Sequence, residues 1–268
     1  MKRQTDRRSR ESGFFGGSRA LSLLGILLVT SGGCGYYLIP ERFQPLAVTD
    51  QRSPDEGTSM EVLDDGTITF SKGRLQVSVR PMLDEEINRQ FPQMSSNVSP
   101  SDPVPSNPFT YGDWEDPRTG RPPQRFTIFL LTIKNYEFPK VKLDPLKIVI
   151  ESTNGRQYFP WGRFDFEEMF RRYATAFNGQ GYQRFTQRKE VIRRAGYPYD
   201  EFCFSGQEVQ GYVVFPTIHS DVEEITFKIV DLAYRYDYRD EALETVDISY
   251  RFKRKLLKVW SAKELASR

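Results

Sequence analysis

Leu75, Val77 and Val79 alternate with Gln76 and Ser78, so residues 74–80 repeat with the period of two that marks a strand with one buried face. Residues 67–70 precede them across Ser71-Lys72-Gly73, which predicts a hairpin. The run FTIFLLTIK at 126–134 is apolar on both sides of its alternation, the pattern of a strand covered on two faces. Residues 146–152 and 156–159 flank Thr153-Asn154-Gly155, and Asn-Gly between apolar runs predicts a second hairpin because both residues tolerate positive φ. Three further strands are expected at 207–215, 224–232 and 245–253. In the last, Val246, Ile248, Tyr250 and Phe252 alternate with Asp247, Ser249, Arg251 and Lys253. About eight strands, mostly separated by turns, predict a mainly β chain folded as an antiparallel sandwich.

The pattern changes at 164–196, where a two-helix insertion is expected; an α+β arrangement is the alternative it opens. In WGRFDFEEMFRRYATAF, Phe166, Met169, Phe170, Tyr173 and Phe177 fall on one helical face and Glu167, Arg171 and Arg172 on the other. Asp165 and Glu168 have the spacing of N-cap and N3 partners, Phe164 and Met169 that of a hydrophobic staple, and Asn178-Gly179 would stop the helix. A second helix is expected from about Thr186 to Gly196, ahead of Tyr197-Pro198. Residues 83–91 could form a short helix. Eight prolines between 92 and 124 predict a long loop there, and Phe109, Tyr111 and Trp114 either dock a partner or pack back on the domain.

The N-terminus follows neither pattern. Residues 1–19 carry six Lys and Arg against two acidic side chains, and 21–29 are apolar apart from Ser22 and Gly25. These are the n-region and h-region of an export signal. Ser31-Gly32-Gly33 then precede Cys34. The order resembles the lipobox of bacterial lipoproteins, in which a small residue before the cysteine permits cleavage and the cysteine thiol is acylated; Ser31 stands where that pattern usually has Leu. Two alternatives remain open. No charge occurs from Ala20 to Ile39, enough for an uncleaved signal anchor of about 30 Å, and simple secretion is also compatible. Anchored either way, the domain is expected across the membrane from a basic cytoplasmic N-terminus. The expected organisation is a signal or anchor at 1–33, a flexible tether at 34–59, the sandwich at 60–255 and a tail at 256–268.

Charge and cysteine usage narrow the chemistry. Removing residues 1–33 leaves 32 Lys and Arg against 34 Asp and Glu, so the mature chain is near −2 and nucleic-acid binding loses its electrostatic basis. With Cys34 acylated, Cys203 has no disulfide partner; flanked by Phe202 and Phe204, it reads as a small buried residue. The single histidine, His219, sits in a turn-like TIHSD, so multi-histidine zinc sites are excluded within one chain, and no nucleophile-elbow motif accompanies it. No cofactor or metal is expected. Arg184, Arg188, Lys189, Arg193 and Arg194 form the densest basic cluster of the mature chain, a solvated helix face or a contact for anionic headgroups. The acidic set Asp237, Asp240, Glu241, Glu244 and Asp247 matches no EF-hand spacing.

GQEVQGYVVFP at 206–216, followed by a turn and ITFKIVDL, resembles the immunoglobulin-like sandwich domains of uncharacterised bacterial envelope lipoproteins. The resemblance spans about residues 62–253, rests on pattern, and implies no catalytic residue. Two classes of function follow. The first is a membrane-anchored, non-enzymatic structural or protein-interaction module of the cell envelope, meeting an envelope protein partner through edge strands or through a surface that includes Arg184, Arg188, Lys189, Arg193, Arg194, Trp114 and Trp161. The second is a glycan-binding or glycan-active protein using carboxylates beside Trp161, such as Asp165 with Glu167, or Asp113 and Glu115 beside Trp114.

Overall fold

The computed structural model describes residues 36–52, 56–96, 106–117, 121–174 and 179–260. In chain order its strands begin with β1 (Tyr37–Pro40), β2 (Gln44–Pro45), β3 (Thr58–Val62), β4 (Ile68–Lys72), β5 (Leu75–Pro81), β6 (Phe126–Asn135) and β7 (Lys140–Val141). They continue with β8 (Val149–Ser152), β9 (Gln157–Tyr158), β10 (Cys203–Phe204), β11 (Gln207–Pro216), β12 (Glu224–Tyr236), β13 (Ala242–Lys253) and β14 (Leu256–Val259). The helices are α1 (Asp84–Gln90), α2 (Pro92–Ser95), α3 (Arg163–Ala174) and α4 (Gly179–Ala195).

The chain is mainly β, an antiparallel sandwich with a helical insertion. One five-stranded sheet has the order β11-β6-β5-β4-β3 and the other β2-β13-β12-β8-β9. Period-two alternation puts Phe70, Val77, Phe129, Leu131 and Phe215 on the inner face of the first, and Phe227, Ile229, Ile248, Tyr250 and Phe252 on that of the second. The Phe129 ring lies 5.0 Å from that of Phe227 and 5.5 Å from that of Phe252, so the sheets meet through aromatic contacts. All eight expected strands are present, including the Asn154-Gly155 hairpin, where Ile150 pairs with Tyr158. Strands β1, β2, β3, β7, β10 and β14 are additional.

Strand β6 is apolar on both faces because both are covered. Phe126, Ile128 and Leu130 point away from the sandwich into a second core with Tyr212 and Val214 of β11, Ile87 of α1 and Phe166 and Phe170 of α3. Met169 of α3 and Val191 and Ile192 of α4 pack against the same cluster. The face expected for α3 is therefore the buried one; the side chains of Tyr173 and Phe177 lie outside the described residues. The cap falls elsewhere. Asp165 is at N3, and its carboxylate accepts the Gly162 N–H at 2.7 Å, so the helix starts three residues earlier than expected. Phe164 is 83% exposed and forms no staple. Helix α4 starts seven residues before Thr186, because packing of its apolar side on the second core outweighs the low helix propensity of Gly179 and Gly181.

The expected flexible tether at 34–59 and tail at 256–268 are corrected where they are described. Strand β1 pairs antiparallel with β14, and β2 pairs with the end of β13. The Gln51 side chain donates to the Arg251 carbonyl and accepts from its N–H, both at 2.9 Å. Pairing with a partner about two hundred positions away has no local signature. The proline-rich stretch also holds an ordered part. Phe109 is a core residue, and Asn107, buried with Thr110 and Ser95, donates to the Ser95 hydroxyl at 2.9 Å. Gly112 passes so close to α2 that a Cβ there would lie 2.1 Å from the Ser95 carbonyl oxygen.

Candidate functional site

The helical insertion meets the edge of the first sheet at β11, and a cleft of about 630 Å³ opens between them. This is within the range of small-ligand and peptide-anchor pockets. Two extended segments frame it. The Trp161 N–H donates to the Val214 carbonyl at 2.7 Å, and the Tyr197 N–H donates to the Tyr212 carbonyl at 3.0 Å, so both segments cap the free edge of β11. Gly211 permits this approach: a Cβ there would lie 2.4 Å from the Tyr197 nitrogen.

The cleft has an aromatic floor. Trp161 is half-buried, its ring 4.9 Å from Phe126 and 5.4 Å from Phe166, both edge-on. Phe109 stands edge-on to Tyr212 at 5.4 Å behind it. Tyr199 forms one rim, its hydroxyl donating to the Trp161 carbonyl at 3.3 Å and its phenol pushed up by burial, then by Asp165 and Asp144.

Charged groups on the opposite rim are paired. Glu167 accepts from Arg163 at 3.0 Å and faces Lys189 at 3.3 Å, and these two cations hold its carboxyl below the usual range. Arg193 pairs with Glu190 at 2.8 Å, which lowers that carboxyl too. Asp165 is committed to its helix cap. The carboxylates beside Trp161 are thus acceptors in ion pairs and a cap, and the lowered Glu167 is the opposite of a raised general acid.

The sequence candidates separate in space. Trp161, Lys189 and Arg193 line the cleft. Arg194 is exposed on α4 outside the lining, Arg184 is half-buried, and Trp114 sits against Tyr111 at 5.8 Å on the 106–117 segment. Asp113 and Glu115 are exposed beside it. Arg188 departs from the expected basic surface: it is 1% exposed, its Nε donates to the Ser106 carbonyl at 3.1 Å, and its guanidinium stacks 5.0 Å from the Phe170 ring centre. The helical period turns it inward while Arg193 and Arg194 face solvent. Cys34 lies outside the described residues.

Residues 197–201 were missed as site residues, since Tyr197-Pro198 reads locally only as a helix stop; Gly211 within a strand was the available signal of close backbone approach. Arg254 was missed too. It is buried, donates from Nε to the Val222 carbonyl at 2.7 Å, lies 4.5 Å over the Phe43 ring, and burial lowers its pKa to about 10. It clamps the turn that carries His219, which is exposed and bonded through Nδ1 to the Tyr158 hydroxyl at 2.9 Å. Cys203 is buried, with its Sγ donating to the Gln207 carbonyl at 3.3 Å.

Among the described residues no group of three His, Cys, Asp or Glu side chains is placed to hold a metal ion, and no helix is long and apolar enough to cross a membrane. Comparison of the chain with protein-family models, with curated proteins and with solved structures found no match.

Proposed function

We propose that the chain is a lipoprotein of the bacterial cell envelope, anchored through Cys34, whose extracytoplasmic domain is a non-enzymatic structural or protein-interaction module. The observation that carries this reading is the order of segments: a basic n-region, an apolar h-region, small residues and Cys34, followed by a folded β domain. One acyl chain binds a membrane only marginally, and each added buried CH₂ contributes about 0.8 kcal/mol, so a multiply acylated Cys34 would hold the domain firmly.

The cleft beside Trp161 supports recognition rather than proton transfer. Its aromatic floor offers apolar contact, and Glu167, Lys189 and Arg193 at the rim can exchange partners with the polar groups of a protein segment. A glycan-binding role is the second reading, favoured by the half-buried Trp161 in a cleft of this size. Titration with soluble envelope glycan fragments, comparing the wild type with Tyr199→Ala, separates the two: saturable binding lost in the variant supports the glycan reading.

The test of the anchor is the intact mass of the membrane-extracted protein beside a Cys34→Ser variant. A mature chain starting at Cys34 with added acyl mass, lost in the variant, is the expected result. Retention of residues 1–33 in both proteins would overturn it.

A further inference from the structure

The two ends of the described chain meet in a separate ribbon. In β1 and β14, Tyr37 pairs with Val259, Leu38 with Lys258, Ile39 with Leu257 and Pro40 with Leu256. At its open end Tyr36 and Trp260 are 46% and 61% exposed, yet their rings stand edge to face at 5.5 Å. The Lys258 ammonium lies 5.0 Å from the centre of the Tyr36 ring. Two large amphipathic aromatics and a lysine are thus gathered at one exposed end of the ribbon.

Position along the chain says what they meet. Tyr36 follows Cys34 by two residues, a reach of at most about 7 Å. No long tether intervenes, since residues 37–40 are already paired with β14 and residues 44–45 with β13. Charge agrees: residues 251–260 contain five basic side chains and no acidic one. Arg251 pairs with Glu224 and Arg254 is buried, which leaves Lys253, Lys255 and Lys258 exposed. Glu41 is the one acidic side chain between 36 and 46. Tyr and Trp concentrate at the headgroup level of bilayers, because the ring body is apolar and its N–H or O–H is polar, while lysines near an anionic surface are attracted to it.

We infer that the β1–β14 ribbon is a membrane-contact surface, with Tyr36 and Trp260 seated among the headgroups of the anchoring bilayer and Lys258 beside their phosphates. The inference rests on the anchored reading above and adds to it the orientation of the domain: the ribbon faces the lipid.

The test uses the full chain on phosphatidylcholine vesicles containing phosphatidylglycerol, some of the lipids brominated close to the headgroup. Flotation reports the anchor, and quenching of tryptophan emission reports the ribbon, with Trp260→Phe assigning the signal among the three tryptophans. Trp260 is exposed, so this variant keeps its fold. The expected result is that both proteins float, that the wild type is quenched, and that the variant loses the quenching. Floating wild type without quenching, or a variant quenched like the wild type, overturns the ribbon contact while leaving the anchor standing. A wild type that does not float overturns the anchor and the contact with it.

Discussion

The hydroxyl of Tyr250, on β13, donates to the carbonyl of Val77, on β5, at 2.8 Å, a polar tie between the two sheets in the middle of the apolar core. Its phenol is fully buried, and desolvation holds its pKa well above the ordinary range. The unfolded phenol ionises near pH ~10, so folding favours the protonated form. The sign follows: this contribution is complete below about pH 10 and is lost as pH rises above it. Tyr250→Phe should cost about 0.5–1.5 kcal/mol at pH 7, and urea unfolding should show a shallower loss of stability above pH 10 than in the wild type.

Gly211→Ala places a methyl group 2.4–2.6 Å from Gly196 and Tyr197 backbone atoms. Backbone cannot yield as a side-chain tip can, so the 196–198 segment must leave β11. A loss of about 1–3 kcal/mol in unfolding is expected, with faster hydrogen exchange at the Tyr197 amide, which bonds Tyr212. Unchanged exchange there would show that the segment does not depend on the glycine.

The basic cluster of α4 should split under mutation. Arg188→Ala removes a buried stem, the hydrogen bond to Ser106 and the stacking on Phe170, and is expected to cost about 2–4 kcal/mol. Arg194→Ala, at an exposed position, should change stability by less than about 0.5 kcal/mol. Equal effects in thermal unfolding would contradict the inward placement of Arg188.

Asp84 opens α1, and burial, then the neighbouring Glu85, raises its pKa to about 7 although Arg125 opposes the shift. A carboxyl raised from its unfolded value near 4 leaves the fold fully stable below about pH 4 and less stable as pH rises through about 7. Partial exposure reduces the effect. Asp84→Asn is therefore expected to stabilise by about 1 kcal/mol at pH 8 and by nothing measurable at pH 4, read from denaturant midpoints.

What the sequence determined by itself was the local periodicity. Alternation of period two marked β5 and β13, turn residues bounded the hairpins, and the two-sided β6 announced a second covering layer, because successive side chains of a strand point to opposite faces. The helical face of Phe166 and Phe170 was legible in the same way, from a period of 3.6. What only the tertiary structure decided depends on partners far away in the chain. The edge strands β1 and β14 are too short to carry a pattern and exist because they pair with each other. Asp165 looked like the cap by spacing, but the chain direction set by the bond of Trp161 to Val214 put the helix start earlier. Arg188 reads as one of five basic residues until α4 is laid on its core and the loop beneath supplies the Ser106 carbonyl, which makes a buried charge tolerable. The rim residues 197–201 become part of a site only because Gly211 lets their backbone close on the sheet edge.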